Sequence, residues 1–381
     1  MLSYEAAVFL LMAASVYAVV FLLGRTKKDL LEKWGVSIES LAIMVRTARF
    51  NKFIENMGFR FRRFWRFYGS LSLLAGVLMS VYGIHTLHLN ALLLLKGAKG
   101  AMPTHPVIPG VTIGFDALPY LSLALVITLI PHELSHGFAF SAERIPIESA
   151  GVFFFLVLPG GFVEPNEEML GKMEFMAKLR AFAVGSFTNL ITGILIGILM
   201  SMILVPSNVG AVVNKIAPGT PASQGLSEGD IIKAMNNTRI GNSTDLVRFL
   251  SKTKPGDKVI LLVERNGEET EIEITLAAHP YNKSRGYIGA VFGDYYPADP
   301  HGYLFKALWW SYVVALSIAV INIVPIYPFD GGRILREILV KIFGEDLGHK
   351  ITIVISVYLL LVLLVNIALS IAKWGLQIWY P

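Results

Sequence analysis

The residues Pro131-His132-Glu133-Leu134-Ser135-His136-Gly137 close a long apolar run. On a helix, positions i and i+4 point the same way, so His132 and His136 offer two imidazoles to a single Zn²⁺. Glu133 stands beside the first of them, where its carboxylate reaches an attacking water without being a ligand, which suits a general base for peptide hydrolysis. The chain contains no Cys, so a thiolate site is excluded and any further ligand must be His, Asp or Glu. Asp330 is the candidate third ligand. It follows Asn322-Ile323-Val324-Pro325-Ile326-Tyr327-Pro328-Phe329 and precedes Gly331-Gly332, so prolines break the helix and glycines allow a sharp turn. Asn189 lies inside another apolar run, as a candidate donor to a developing oxyanion or to substrate backbone. His85, His88, His105, His279, His301 and His349 lack ligand spacing to a partner carboxylate and read as structural.

The elements that position these groups belong to a membrane protein. Of 381 residues, 54% are hydrophobic and only 16% charged, which excludes an ordinary soluble enzyme. A bilayer span needs about 20 apolar residues, and the sequence offers stretches near 3–24, 70–95, 118–142, 176–205, 304–327 and 351–374. The first has no basic residues before it and is expected to be a retained anchor, not a cleaved signal. Residues 25–67 hold 11 Lys and Arg against 4 Asp and Glu. By the positive-inside rule this basic segment is cytoplasmic, and counting spans puts both termini outside. The same count ends the third and fifth spans on the cytoplasmic face, so His132, His136 and Asp330 lie at similar depth. Two imidazoles and a carboxylate within a span are costly in hydrocarbon and mark function.

Within the basic segment, Phe59, Phe61, Phe64, Trp65 and Phe67 alternate with Arg60, Arg62, Arg63 and Arg66, as interfacial anchors on a lipid surface do. No nucleic-acid partner is expected. Gly185, Asn189, Gly193, Gly197 and Ser201 repeat every fourth residue, forming a small-residue stripe for close helix packing. The apolar run Gly151–Leu158 is too short to span; with Pro159-Gly160-Gly161 after it, it predicts a β-hairpin whose edge could pair with unwound substrate. Residues 206–295 mix both charge signs with short alternating runs and turns such as Arg265-Asn266-Gly267-Glu268, which predicts a folded extramembrane domain. Its wording, Ala217-Pro218-Gly219-Thr220-Pro221-Ala222 and Glu228-Gly229-Asp230-Ile231-Ile232, resembles a prokaryotic PDZ domain, which implies binding of extended peptides or of a substrate ectodomain.

His132-Glu133-x-x-His136 followed by Asn322-x-x-Pro325-x-x-Pro328-x-Asp330-Gly331 resembles the site-2 protease family of intramembrane zinc metalloproteases, and Gly185-x-x-x-Asn189 fits a third signature of that family. The resemblance implies a polytopic α-helical membrane protein of about six spans with an inserted β-rich PDZ-like domain. It implies one Zn²⁺ per chain on His132, His136 and Asp330, with Glu133 catalytic and Asn322 touching substrate backbone. Substrates would be transmembrane proteins cut in regulated intramembrane proteolysis, in a prokaryotic cell membrane. The expected organisation is an anchor (1–24), a basic amphipathic cytoplasmic segment (25–67), a membrane core with the His-Glu-x-x-His helix (68–205), an extracytoplasmic PDZ-like domain (206–295) and a C-terminal membrane core (296–381). The alternative is a membrane-anchored PDZ scaffold or chaperone-like binder with a silent metal site, against which the intact Glu133 argues. A metal transporter would need ligands spread along a pathway.

Overall fold

The structure is a computed structural model that describes residues 4–26, 31, 33–39, 42–155, 158–299 and 302–376. Lys27 and Lys28 of the basic segment, Leu156 and Val157 of the apolar run, and His301 lie outside the described residues. The chain divides into two compact units, one running to Ile196 and resuming at Trp310, the other Gly197–Trp309.

In the first unit, α1 (Tyr4–Thr26) leads to strands β1 (Val36–Glu39) and β2 (Ala42–Thr47), helix α2 (Asn51–Arg60) and the long helix α3 (Arg62–Leu95). Then come α4 (Leu118–Ala142), strands β3 (Ile147–Phe155) and β4 (Leu158–Pro165), the short α5 (Glu167–Lys172), and α6 (Phe175–Ile203), which runs on into the second unit. Among the described residues five helices are long and apolar enough to cross a membrane; in α1 the apolar stretch counted is the shorter Ala14–Leu23. Along α4 the buried positions Leu121, Ala124, Thr128, His132 and Ser135 fall on one helical stripe, while Leu123, Val126 and Ile130 are exposed. Polar residues inside and leucines outside are what a helix bundle presents to lipid. The chain is a polytopic helical integral membrane protein.

The basic segment differs from a simple amphipathic stretch. Its strands β1 and β2 extend the β3–β4 hairpin into a four-stranded antiparallel sheet of order β1-β2-β3-β4. Arg46 on β2 pairs with Glu164 on β4 at 3.1 Å, and Ser149 on β3 hydrogen-bonds the same carboxylate, so polar side chains tie the strands together across one face. Helix α2 lies against α4 through fully buried Ile54, and its Asn51 Nδ2 donates to the carbonyls of Ile147 (2.7 Å) and Glu148 (2.8 Å) at the start of β3. Local hydropathy hides these strands because Arg46 and its neighbours read as surface until a partner strand is in place.

The second unit is the β-rich domain whose sequence resembles a PDZ domain. Strands β5 (Ser207–Ile216), β6 (Ile231–Met235), β7 (Thr238–Arg239), β8 (Lys258–Arg265) and β9 (Glu268–Thr275) are joined by helix α7 (Ser243–Leu250), then β10 (Ala277–His279), β11 (Asn282–Tyr287) and β12 (Ala290–Tyr295). The main sheet runs β12-β5-β6-β8-β9, with β7 on β6 and β10 pairing with β11 separately. Strand β8 shows why it forms: Val259, Leu261 and Val263 are buried with Leu246 and Ile274, while Lys258 and Ile260 face outward, the period-two pattern of a half-buried strand. Asn266 and Gly267, both at positive φ, make the two-residue turn into β9. Asp230, 1% exposed, takes two hydrogen bonds of 2.7 Å from Arg265, which holds the guanidinium pKa above its usual value.

The chain re-enters the first unit along α8 (Tyr303–Ile323) and ends with α9 (Asp330–Phe343) and α10 (Glu345–Trp374). Helix α8 stops before Pro325, two turns short of Asp330, so the fifth expected span is shorter than its apolar run.

Candidate metal centre

Three elements meet at one point in the first unit. Helix α4 carries His132 and His136 one turn apart, with side chains 4% and 9% exposed. The break after α8 brings Asp330, the first residue of α9, against them. Gly331 makes that turn possible, because a Cβ there would lie in the backbone carbonyl of Ile323 at the end of α8.

The donor atoms crowd together, each imidazole facing a different oxygen of the one carboxylate. His132 Nε2 is 3.3 Å from His136 Nε2, 3.5 Å from Asp330 Oδ2, and His136 Nε2 is 3.4 Å from Asp330 Oδ1. A tetrahedral ion with bonds of about 2.0–2.1 Å needs ligand atoms about 3.3–3.4 Å apart. The two-imidazole, one-carboxylate set therefore fits such an ion, with the fourth position open; among the described residues this is the group of His, Asp and Glu so disposed. Each donor is also held from behind. His136 Nδ1 donates to the Ala181 carbonyl at 2.8 Å, the Asn189 amide nitrogen is 2.9 Å from His132 Nδ1, and Ser186 Oγ donates to Asp330 Oδ2 at 3.1 Å.

Glu133, three residues before His136 on α4 and so on a neighbouring part of the same helix face, points toward β4. A Cβ on Gly161 would come 2.7 Å from Glu133 Cγ, so the hairpin backbone lies directly on the carboxylate's stem. Strand β4 is paired only to β3, leaving its outer edge without a strand partner in the described sheet. Gly185 does for the ligands what Gly161 does for Glu133: a Cβ there would lie 2.6 Å from His132 Nε2.

Of the six residues expected at the site, the structure gathers His132, Glu133, His136, Asp330 and Asn189. Asn189 is engaged with His132, not standing free before the donors. Asn322, half-buried on the last turn of α8, makes no side-chain hydrogen bond among the described residues. Sequence reasoning missed Ser186 and Gly161. Their only signal was Ser186's place inside the Gly185-to-Asn189 signature and Gly161's place in Pro159-Gly160-Gly161, which the sequence offers as a turn but which lies within β4, with Gly161 opposite Val152 on β3.

Residues 120–365 match peptidase family M50. An uncharacterized protein of Methanocaldococcus jannaschii is 25% identical over 292 residues, 76% of this chain and 75% of that relative. A membrane-bound transcription factor site-2 protease homolog of Arabidopsis thaliana is 26% identical over 149 residues, 38% of this chain and 28% of that protein. The PDZ domain of an SdrC-like protein of Listeria monocytogenes, a solved structure, is 20% identical, covers 22% of this chain and 87% of its own, and superposes with a TM-score of 0.21.

Proposed function

Because the chain belongs to peptidase family M50, we propose that it is a zinc endopeptidase hydrolysing peptide bonds within or beside transmembrane helices of other membrane proteins, as in regulated intramembrane proteolysis. The observation that carries this is the buried triangle of His132, His136 and Asp330 with Glu133 next in sequence to the first donor. His132, His136 and Asp330 would hold one Zn²⁺. When bound, the ion supplies a Lewis acid that makes water acidic and stabilises negative charge on the scissile carbonyl.

The remaining work falls to the protein. Glu133 takes the proton of the attacking water and returns it to the leaving amine. Gly161 keeps the hairpin close to that carboxylate and limits the water around it. An unwound substrate segment pairing with the outer edge of β4 would lay its backbone along the strand that covers Glu133. Unwinding is required because a helix hides its carbonyls in its own hydrogen bonds. Asn322 is the amide free to hold substrate backbone. Asn189 can donate to an oxyanion only through Nδ2, the atom that lies 2.9 Å from His132 Nδ1. Charge supports an active site toward the cytoplasmic side, with the PDZ-like domain and both termini outside, where the domain would bind a peptide or substrate ectodomain.

Metal analysis of the purified chain beside cleavage of a generic transmembrane substrate tests this. His132→Ala, His136→Ala and Asp330→Ala should lose both zinc and cleavage, whereas Glu133→Gln should keep zinc and lose cleavage. Cleavage by Glu133→Gln would end the proposed mechanism; full zinc in Asp330→Ala would remove the third ligand.

A further inference from the structure

Each of the three metal-donor residues is held by a partner on one helix that supplies no donor itself. On α6, Ala181 accepts from His136 Nδ1, Ser186 donates to Asp330 Oδ2, and the Asn189 amide meets His132 Nδ1. Ala181, Gly185 and Asn189 are spaced by four residues and Ser186 adjoins them, so all four share one face of the helix. Ser186 and Asn189 are both 0% exposed, so solvent does not substitute for either.

We propose that this face of α6 is the outer shell of the metal site, and that Ser186 and Asn189 are positioning residues that set how tightly the ion is held. This rests on the zinc site proposed above, but not on proteolysis. Two features of the geometry support it. An imidazole that binds metal through Nε2 carries its proton on Nδ1 and needs an acceptor there. Asn189 supplies one if its amide makes a half-turn, so that Oδ1 replaces Nδ2 beside His132. Asn189 Oδ1 is at present buried without a hydrogen-bond partner, and the half-turn gives it one. Ser186, in turn, donates to Oδ2 of Asp330 and so fixes how the carboxylate is turned toward the two imidazoles. A hydroxyl does this without neutralising the carboxylate, as a Lys or Arg in the same place would.

The test measures the zinc dissociation constant of the full chain in detergent by chelator competition, together with the visible spectrum of the Co²⁺-loaded form. Ser186→Ala and Asn189→Leu should each weaken zinc binding about 10- to 100-fold, the usual effect of removing an outer-shell partner, and should change the Co²⁺ bands. Asn189→Asp, whose carboxylate only accepts, should keep the parent affinity. Parent-like affinity and spectrum in Ser186→Ala would overturn its role. An Asn189→Asp variant as weak as Asn189→Leu would show that the amide must donate to His132 and would overturn the acceptor assignment. A parent chain that takes up no zinc would end the metal site itself. These affinities are read whether or not the parent cleaves a substrate, so failure of the tethers and failure of the protease proposal are separable.

Discussion

A side chain at position 185 would have to share space with both imidazoles, and one at 161 would have to share it with Glu133. The two glycines therefore separate two functions. Gly185→Ala should abolish metal binding, because the added methyl lies 2.6 Å from His132 Nε2 in the rigid face of α6, where backbone cannot retreat. Gly161→Ala should leave the metal in place and lower the cleavage rate by about 10- to 100-fold, the scale expected when a catalytic group is displaced by a fraction of an ångström to 1 Å. Metal content and turnover measured on both variants check this. Normal zinc in Gly185→Ala, or an unchanged rate in Gly161→Ala, would contradict the packing described. The ligand and base substitutions belong to the same scale, since Glu133 and His132 are adjacent on α4 yet carry different parts of the proposed reaction.

Among the elements, the sheet and α2 explain what the basic segment does. Ile54 of α2 is fully buried on α4, where a Cβ at Gly137 would lie 2.7 Å from its Cγ2, one residue beyond the ligand His136. Asn51 fixes the start of β3, and Glu55 accepts from the Ile147 amide at 3.0 Å, so one short helix braces both the metal-binding helix and the hairpin over Glu133. Ile54→Ala should cost about 2–5 kcal/mol of stability, the range for emptying a buried aliphatic site. The melting temperature of the metal-loaded chain in detergent should fall accordingly. An unchanged melting temperature would mean that α2 is not packed on the catalytic helix. The exposed face of α2 carries Phe53, Phe59 and Arg60.

For the whole molecule, the insertion of the PDZ-like unit between α6 and α8 is the defining feature, because the helices flanking it lead to Asn189 on one side and Asp330 on the other. Its own hydrophobic core, from Ala211 to Ile288, makes it a domain that does not depend on the membrane core for burial. Replacing residues 206–295 by a short flexible linker should therefore leave zinc content intact. Cleavage of a minimal substrate without an ectodomain should stay within about tenfold, a ~1.4 kcal/mol change in barrier, while discrimination against large ectodomains falls. Loss of minimal-substrate cleavage in a folded, zinc-loaded variant would make the domain part of the catalytic machinery. Topology is tested separately, by protease digestion of sealed inverted vesicles. The 206–295 domain should be protected and the 25–67 segment should be cut; the reverse pattern would overturn the proposed orientation.

The amino-acid sequence by itself determined the membrane class, six apolar stretches of which five become long apolar helices among the described residues, the β-rich insert with its Asn266-Gly267 turn, and the family. Each of these is written in local signals, such as a run of apolar residues, a period of two, a turn dipeptide or a motif spacing. It also singled out His132, Glu133, His136 and Asp330 by residue type and helical spacing. Only the tertiary structure decided that the donors stand 3.3–3.5 Å apart, that Asn189 is committed to His132, that Ser186 holds Asp330, and that β1 and β2 complete the sheet over Glu133. Those facts join residues as distant in sequence as His132 and Asp330 through packing, and a hydrogen bond between distant segments leaves no periodicity in either one. Arg46 and Ser186 illustrate the limit: as letters they are a surface cation and a small residue in a helix, and they acquire a role only when Glu164 and Asp330 arrive.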